Sequence, residues 1–417
     1  MDAKRERYTP NDVGPSPLEW KAPRLSEVST LITNGFVGTA TPFYTDITGV
    51  PYLYGTNVRA NKLETNEIRY VTREFHTAQS KTALKAGDLL TVQSGHIGET
   101  AVVTDQFHGA NCHALIVTRL KQEKADPHYL CFYVNSEIGR ARMKGLEVGS
   151  TILHINTKDL KKFRVLLPSL PEQKKIAQIL STWDKAISVT EKLLANSQRQ
   201  KKALMQQLLT GKKRLLNENG GRFIGEWCTC TLSEVAHIIM GSSPKSEAYN
   251  DNGLGLPLIQ GNADIKCRVS CPRVYTSDIT KECSPGDILL SVRAPVGTVA
   301  LSQHKACIGR GISAIKSKRK MSQSFLYQWF LWFEPKWCYL SQGSTFESIN
   351  SDDIKTLKLS VPNFEEQQKI ATVLSAADDE IATLEKKLAC LKDEKKALMQ
   401  QLLTGKRRVK IDEAVAA

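Results

Sequence analysis

Two sets of basic and amide side chains lie among the short apolar runs of this chain, on stretches expected to be loops. Both carry the hydrogen-bonding chemistry that reads nucleic-acid bases. The first set is Asn57, Arg59, Lys62, Arg69, Arg73, Lys81, Gln93 and His96. The second is Gln260, Asn262, Lys266, Arg268, Arg273, Arg293, Arg310 and Lys316. Arginine and lysine can pair with guanine, and asparagine and glutamine with adenine, in the major groove. Each residue also has a plainer use, as a phosphate contact or a solvated charge. A net charge of +14 and a pI of about 9.2 favour a polyanionic partner.

No residue set for bond-making chemistry accompanies them. Gly211-Lys212 and Gly405-Lys406 lack the earlier glycine and the Ser/Thr of a phosphate-binding loop. There is no HExxH, no GxSxG and no NPPY-type amino-methyltransferase motif. Cys228, Cys230, Cys267, Cys271 and Cys283 are spaced CxC and CxxxC, not as two zinc-binding pairs. The expectation is therefore no catalytic residue and no metal site. The amino terminus is charged and without an apolar leader, and no apolar run approaches 18 residues, which predicts a cytoplasmic protein with reduced thiols and no membrane span.

The elements that position these side chains are announced by a repeat. Lys201–Lys212 reads KKALMQQLLTGK, and Lys395–Lys406 repeats it letter for letter. The match runs upstream without a gap to Glu172 against Glu366. Earlier blocks recur in the same order: Glu19-Trp20 then Leu25–Val28 against Glu226-Trp227 then Leu232–Val235, Pro51–Gly55 against Pro257–Gly261, Gly87-Asp88 against Gly286-Asp287, Gly149–Thr151 against Gly343–Thr345, and Ile155-Asn156 against Ile349-Asn350. The chain is a tandem duplication, each half a variable globular part followed by a near-identical helix.

Each helix has start and stop signals. Ser169–Glu172 and Asn363–Glu366 read as capping boxes. Gly211 and Gly405 suit the left-handed residue that ends a helix, with Lys212, Lys213, Arg214 and Lys406, Arg407, Arg408 placed against the macrodipole. About 40 residues give a rod of roughly 60 Å. Ile370, Leu374, Ala377, Ile381, Leu384, Leu388, Leu391, Leu398 and Leu402 form a heptad seam interrupted at Lys395. Ile176, Leu180, Trp183, Ile187, Leu194, Leu204 and Leu208 form the other, with Thr190, Ser197 and Lys201 as polar breaks. A seam this narrow needs a partner helix, and the other copy is the simplest one. The expected architecture is two α+β heads held apart by two long antiparallel coiled-coil helices with an internal pseudo-twofold repeat. The alternative is that the helices pack on their own heads as ordinary core.

In the heads, Leu89–Val92, Ala114–Val117, Ile288–Val292 and Gly311–Ile315 read as strands, and Gln93–Gly98 and Arg293–Gly297 as hairpin tips. Residues 126–145 and 322–340 read as helical. The aromatics Phe325, Tyr327, Trp329, Phe330, Trp332 and Phe333 are expected in the core by their spacing. The boundaries read as a flexible tail 1–17, a first head 18–168, a central helix 169–214, a second head 215–362, a C-terminal helix 363–408 and a tail 409–417.

This order of blocks, with EQ-x-K-I-A-x-x-L opening each helix and QQLLTGK-x-R closing it, resembles the specificity subunits of Type I restriction–modification systems. The resemblance covers Leu18 to Arg408. It implies a non-catalytic subunit for defence against foreign DNA. Each head would be a target-recognition domain reading one half of a bipartite, asymmetric double-stranded DNA site. The helices would set the spacer, so that a turn added beside Gly211 changes the spacing and keeps the half-sites. They would also dock two methylation subunits, which bind S-adenosylmethionine and methylate adenine. Restriction subunits, using ATP and Mg2+, would join that core. The departures are the polar tail and Ala376-Ala377 in place of Thr182-Trp183. Two other readings stay open: a coiled-coil scaffold that never reads DNA, with weak, sequence-blind and salt-steep binding, and a nuclease or methyltransferase with a degenerate motif, active without partners.

Overall fold

The structure, a computed structural model, describes residues 8–9, 16–147, 153–337 and 348–411. The repeated segments 149–151 and 343–345, the end of the 322–340 helical stretch and most of the 1–17 tail lie outside the described residues. The chain divides into two compact units: residues 1–190 with 387–417, and residues 191–386.

The first unit is built on a buried sheet in the order Thr100–Val102, Leu89–Val92, Leu115–Leu120, Ser29–Asn34, all antiparallel. Leu89–Val92 is buried on both faces, apolar except for Thr91, whose hydroxyl is hydrogen-bonded to that of Thr100 at 2.9 Å. Alternate residues serve two cores. Leu89 and Ile116 face a helical layer, while Leu90, Val92, Leu115 and Val117 pack with Leu53 and Ala101. A second sheet runs Asn111–Cys112, Val50–Leu53, Arg69–Val71, Tyr44–Thr45. The helical layer is Pro127–Asn135 and Glu137–Lys144, two helices rather than one. The Asp126 carboxylate accepts the Tyr129 N–H at 2.8 Å, and Ser136 interrupts the run by capping the second helix at Gly139 N. The expected tail is tied at its end, where Ser16–Pro17 pairs with Tyr8–Thr9.

The second unit repeats this plan. Its main sheet is ordered Ala236–Met240, Ile312–Ser317, Ile288–Ser291, Val299–Leu301, Val269–Ser270, Ile265–Lys266. The other is ordered Tyr249–Asn250, Val274–Thr276, Leu256–Ile259, Ala306–Ile308, Glu282–Cys283. Helix Gln323–Phe333 covers the main sheet with Phe325, Trp329 and Phe330 buried, as their spacing predicts for core residues.

The long helices are Leu170–Leu208 and Phe364–Leu402, each 39 residues. Their ends belong to the cores of the heads. Ile176, Ala177 and Leu180 pack with Leu402 and Leu403 in the first unit, and Met205, Leu208 and Leu209 with Ile370, Ala371 and Leu374 in the second. Between the ends, Trp183, Ile187, Leu194, Ile381, Leu384, Leu388 and Leu391 are half-buried. The helix ends are thus ordinary core of the heads, which leaves the middle stretches to pair through a half-buried seam. The polar interruptions Thr190 and Ser197 are buried. The Ser197 hydroxyl donates to Glu380 at 3.0 Å, and Lys201 pairs with Asp378 as Lys395 does with Asp184.

The capping boxes need a correction. Asn363 does cap its helix, accepting the Glu366 N–H at 2.9 Å. The glutamates, however, do not reach back to the caps. Glu172 is gripped by both prongs of Arg408 at 2.6 and 2.9 Å, and Glu366 by both prongs of Arg214 at 2.6 Å each. Arg214 and Arg408 therefore serve the first turn of the opposite helix rather than the end of their own. The following glutamines staple each head to its helix. Gln173 accepts the Asp126 N–H and Gln367 the Ser322 N–H, both at 2.9 Å. The repeated EQ dipeptide is a structural joint.

Gly211 and Gly405 end the helices at φ 71° each, as expected. A Cβ at position 405 would lie 2.4 Å from the Pro17 ring, whereas one at 211 would lie 3.3 Å from Trp227. The left-handed conformation alone costs an L-residue about 1–2 kcal/mol. Gly211→Ala is expected to cost about that much, and Gly405→Ala clearly more, in denaturant unfolding. Equal costs would show that Pro17 yields freely. Among the described residues no helix is long and apolar enough to cross a membrane.

Candidate nucleic-acid interface

In the first unit, four strand-end segments converge. Strand Val50–Leu53 runs out into Tyr54-Gly55, and Asn111–Cys112 into His113-Ala114; the two are parallel neighbours. His113 N donates to Leu53 O at 2.8 Å, Phe36 N to Cys112 O at 3.0 Å and Ala114 N to Phe36 O at 2.9 Å. The hairpin tip from Gln93 to Glu99 joins them, as predicted from its flanking strands. Together they form a cleft of about 570 Å³ whose lining includes Tyr54, Arg69, Ser94, His96 and His113.

The rings of Tyr54 and His113 stack at 4.9 Å and 29°. The Arg69 guanidinium lies 5.1 Å from the Tyr54 ring centre and 5.2 Å from that of Tyr44, and donates to the Tyr44 hydroxyl at 3.0 Å. The Tyr44 and Tyr54 hydroxyls are hydrogen-bonded to each other. Burial, and then the Arg69 charge, hold the His113 pKa below the usual histidine value, so the ring is neutral at pH 7. Burial pushes the Tyr54 phenol up, so it stays protonated. The cleft thus offers a stacked ring pair, one fixed cation in Arg69, neutral hydrogen-bonding groups and one carboxylate in Glu67, a set suited to base edges.

The second unit places the same four segments with different side chains. Leu256–Ile259 runs out into Gln260-Gly261, and Ala306–Ile308 into Gly309-Arg310-Gly311, again from parallel neighbours. Gly309 N donates to Ile259 O at 2.8 Å, Ser242 N to Ile308 O at 3.0 Å and Val292 N to Gly311 O at 2.9 Å. The bonds donated by Gly309 and Ser242 match those donated by His113 and Phe36 in the first unit. Gln260, Arg293 and Arg310 are exposed here. The Tyr54 position is held by Gln260, and the His113 turn by Gly-Arg-Gly.

Of the residues singled out from sequence, Arg69, Gln93 and His96 gather in the first cleft or its hairpin, and Gln260, Arg293 and Arg310 in the second cluster. The remaining ones brace the heads or lie on other segments. Asn57 is buried and serves its own loop, accepting the Tyr54 N–H at 2.9 Å and donating to Glu64 O and Asn66 O. Arg59 donates to Val58 O at 3.0 Å, and Lys62 pairs with Glu64. Arg268 is tied to Glu334 at 2.7 Å and Arg273 to the buried Asp264 at 2.9 Å, so both guanidiniums brace the head. Arg73, Lys81, Lys266 and Lys316 are exposed on other segments, and Asn262 opens the short turn Asn262–Asp264. Tyr54 and His113 escaped the sequence reading, although Tyr54 is the variable letter before the glycine of the first repeated P-x-[LI]-x-G block.

Comparison with known proteins gives a consistent result. Residues 17–196 and 224–393 match the family model of the Type I restriction modification DNA specificity domain. A putative type I restriction enzyme specificity subunit of Methanocaldococcus jannaschii is 32% identical over 422 residues, 98% of each chain. A second specificity subunit of that organism is 26% identical over 70% of this chain and 74% of its own. A chain from structural work on complex assembly and conformational transition of the type I R-M system superposes with a TM-score of 0.58 at 25% identity, over 94% of this chain and 99% of that one. The S subunit of a Type I restriction–modification system from M. genitalium shares the fold, with a TM-score of 0.61 at 16% identity over 92% and 96%.

Proposed function

The chain belongs to the specificity subunits of Type I restriction–modification systems, the non-catalytic component that specifies the DNA, and from this premise we propose that each of its heads reads one half of a bipartite, asymmetric site. One observation carries the proposal. The two heads share a backbone scaffold at the converging strand ends, yet present unlike side chains there: Tyr54, His113, Arg69 and His96 in one, Gln260, Arg293 and Arg310 in the other. A common scaffold with different side chains docks similarly and reads differently, so the two half-sites differ in sequence.

On this reading the heads are residues 18–168 and 215–362, and the helical segments 169–214 and 363–408 measure the spacer. The helices dock two methylation subunits that bind S-adenosylmethionine and methylate adenine. Restriction subunits drawing on ATP and Mg2+ complete the assembly in the cytoplasm. The positive charge of the chain suits its DNA partner.

Methylome sequencing of host DNA, with the chain present and with it deleted while the partner subunits are kept, tests the reading. One bipartite adenine-methylated motif is expected to vanish on deletion. An unchanged methylome, with the partners expressed, would count against it.

A further inference from the structure

We propose that Arg310 is the guanine-reading residue of the second head, recognising one G·C pair of that head's half-site through both prongs of its guanidinium. The inference rests on the reading that this face meets DNA, and it adds the chemical identity of one recognised base.

Arg310 stands between two glycines on a turn whose base cannot shift. The residues on either side of the turn, Ile308 and Ile312, are fully buried in adjoining strands. The glycines let three backbone segments touch directly. A Cβ at Gly311 would lie 2.3 Å from Gln260 O, one at Gly309 3.1 Å from Gln260 Cα, and one at Gly241 2.1 Å from Gly309 O. Side chains at these positions would push the segments apart, so the turn is locked by contact of backbone on backbone. Arg310 N is further held by the Ser243 hydroxyl at 3.4 Å.

The side chain itself is exposed. Among the described residues no hydrogen bond or ion pair engages its guanidinium. That sets it apart from Arg214, Arg268 and Arg273, each committed to a carboxylate. A rigid base under one free, planar, five-donor fork is the arrangement that base reading requires, since bidentate pairing to guanine O6 and N7 demands a fixed approach. A phosphate contact requires no such base, because a point charge on a loose loop suffices. The matched turn of the first head carries His113-Ala114 in place of an arginine, and that head's cleft arginine, Arg69, comes from another strand and is held by the Tyr44 hydroxyl, so the two heads present their cations differently.

The test uses the full chain reconstituted with its modification partners. Binding is measured on duplexes in which each position of the recognised motif is varied, at several salt concentrations. Arg310→Ala is expected to lower the preference for G·C at one position of one half-site by roughly 10- to 100-fold. The other half-site, the spacer and the salt slope stay unchanged. Arg310→Lys, which keeps the charge and loses the fork, gives most of the same relaxation. A loss spread evenly over all sequences, with the salt slope reduced by about one, makes Arg310 a phosphate contact and overturns the proposal. So does unchanged discrimination in both variants. The triple variant Gln260→Ala, Arg293→Ala, Arg310→Ala separates the two levels. If it alters the half-site while Arg310→Ala does not, only the assignment of Arg310 falls. If it leaves the motif intact, the reading of this face as DNA-facing falls with it.

Discussion

Replacing Arg214 by alanine is expected to lower the stability of the second unit by about 3–5 kcal/mol, the cost of leaving one member of a buried ion pair alone. Glu366 has no exposed side-chain surface, and both of its oxygens accept from Arg214 at 2.6 Å. Without the arginine, the carboxylate must stay charged without a partner or take up a proton, and either is costly. Arg214 also donates to Gly225 O at 3.0 Å, so it fixes the path by which the chain leaves the first long helix and enters the second head. Arg214→Lys recovers only part of the loss, because an ammonium cannot occupy both oxygens. Replacing the pair together, Arg214→Met with Glu366→Leu, is expected to restore most of the stability, since the penalty belongs to the orphaned charge. Arg408→Ala costs less than Arg214→Ala, because Arg408 is about half exposed and its removal opens the otherwise buried Glu172 carboxylate to water. Urea unfolding followed by hydrogen exchange at amides of each unit checks this head by head. A loss below about 1 kcal/mol for Arg214→Ala, the range of surface pairs, would remove the pair as a structural joint.

The second large effect concerns the spacer. One heptad inserted into both long helices, after Thr190 and after Lys386, is expected to lengthen the spacer of the methylated motif by about three base pairs. Seven residues add about 10.5 Å of helix, and stacked bases rise about 3.4 Å each along a strand. Seven residues also bring the apolar seam back to nearly the same face, whereas four rotate it further out of line. These positions are chosen by the fold. An insertion beside Gly211 disturbs the buried Leu208 and Leu209, while one in the middle leaves the Arg408–Glu172, Lys395–Asp184, Lys201–Asp378 and Arg214–Glu366 pairs intact within their units. Methylome sequencing reads the result. Unchanged half-sites with a longer spacer support the helices as the measuring element. New half-sites with the old spacing would overturn that role. A heptad in one helix alone breaks the register between the two and is expected to abolish methylation.

Several features of the fold are legible in the order of residues along the chain. The two long helices show themselves by period, repeat and closing glycine, because those signals are local. The strands Leu89–Val92 and Ile288–Ser291, and the hairpins that follow them, are legible for the same reason. In the aromatic run 325–333, Phe325, Trp329 and Phe330 supply core as their spacing suggests, while Tyr327, Trp332 and Phe333 are half-buried against it.

What sequence could not supply is partnership. A heptad position tells that a side chain faces the seam, not what it meets there, so the polar breaks Ser197 and Lys201 were legible but their partners Glu380 and Asp378 were not. Glu172 and Glu366 read as capping residues because a capping box is a local pattern. Their arginines stand 236 and 152 residues away, and the tighter, charge-assisted bond wins over the local one. Asn57 and Arg310 are both polar loop residues in sequence. Only the fold buries the first among its own loop's backbone groups and leaves the second exposed on a locked turn. The amino-acid sequence by itself determined the duplication and the helices, because these rest on periodicity and order along the chain, and its motifs resemble a known family, which pointed to the class of the protein. The tertiary structure alone decided which polar groups are consumed in holding it together and which stand free at the converging strand ends, because a polar side chain acts through whatever neighbour space puts within about 3 Å.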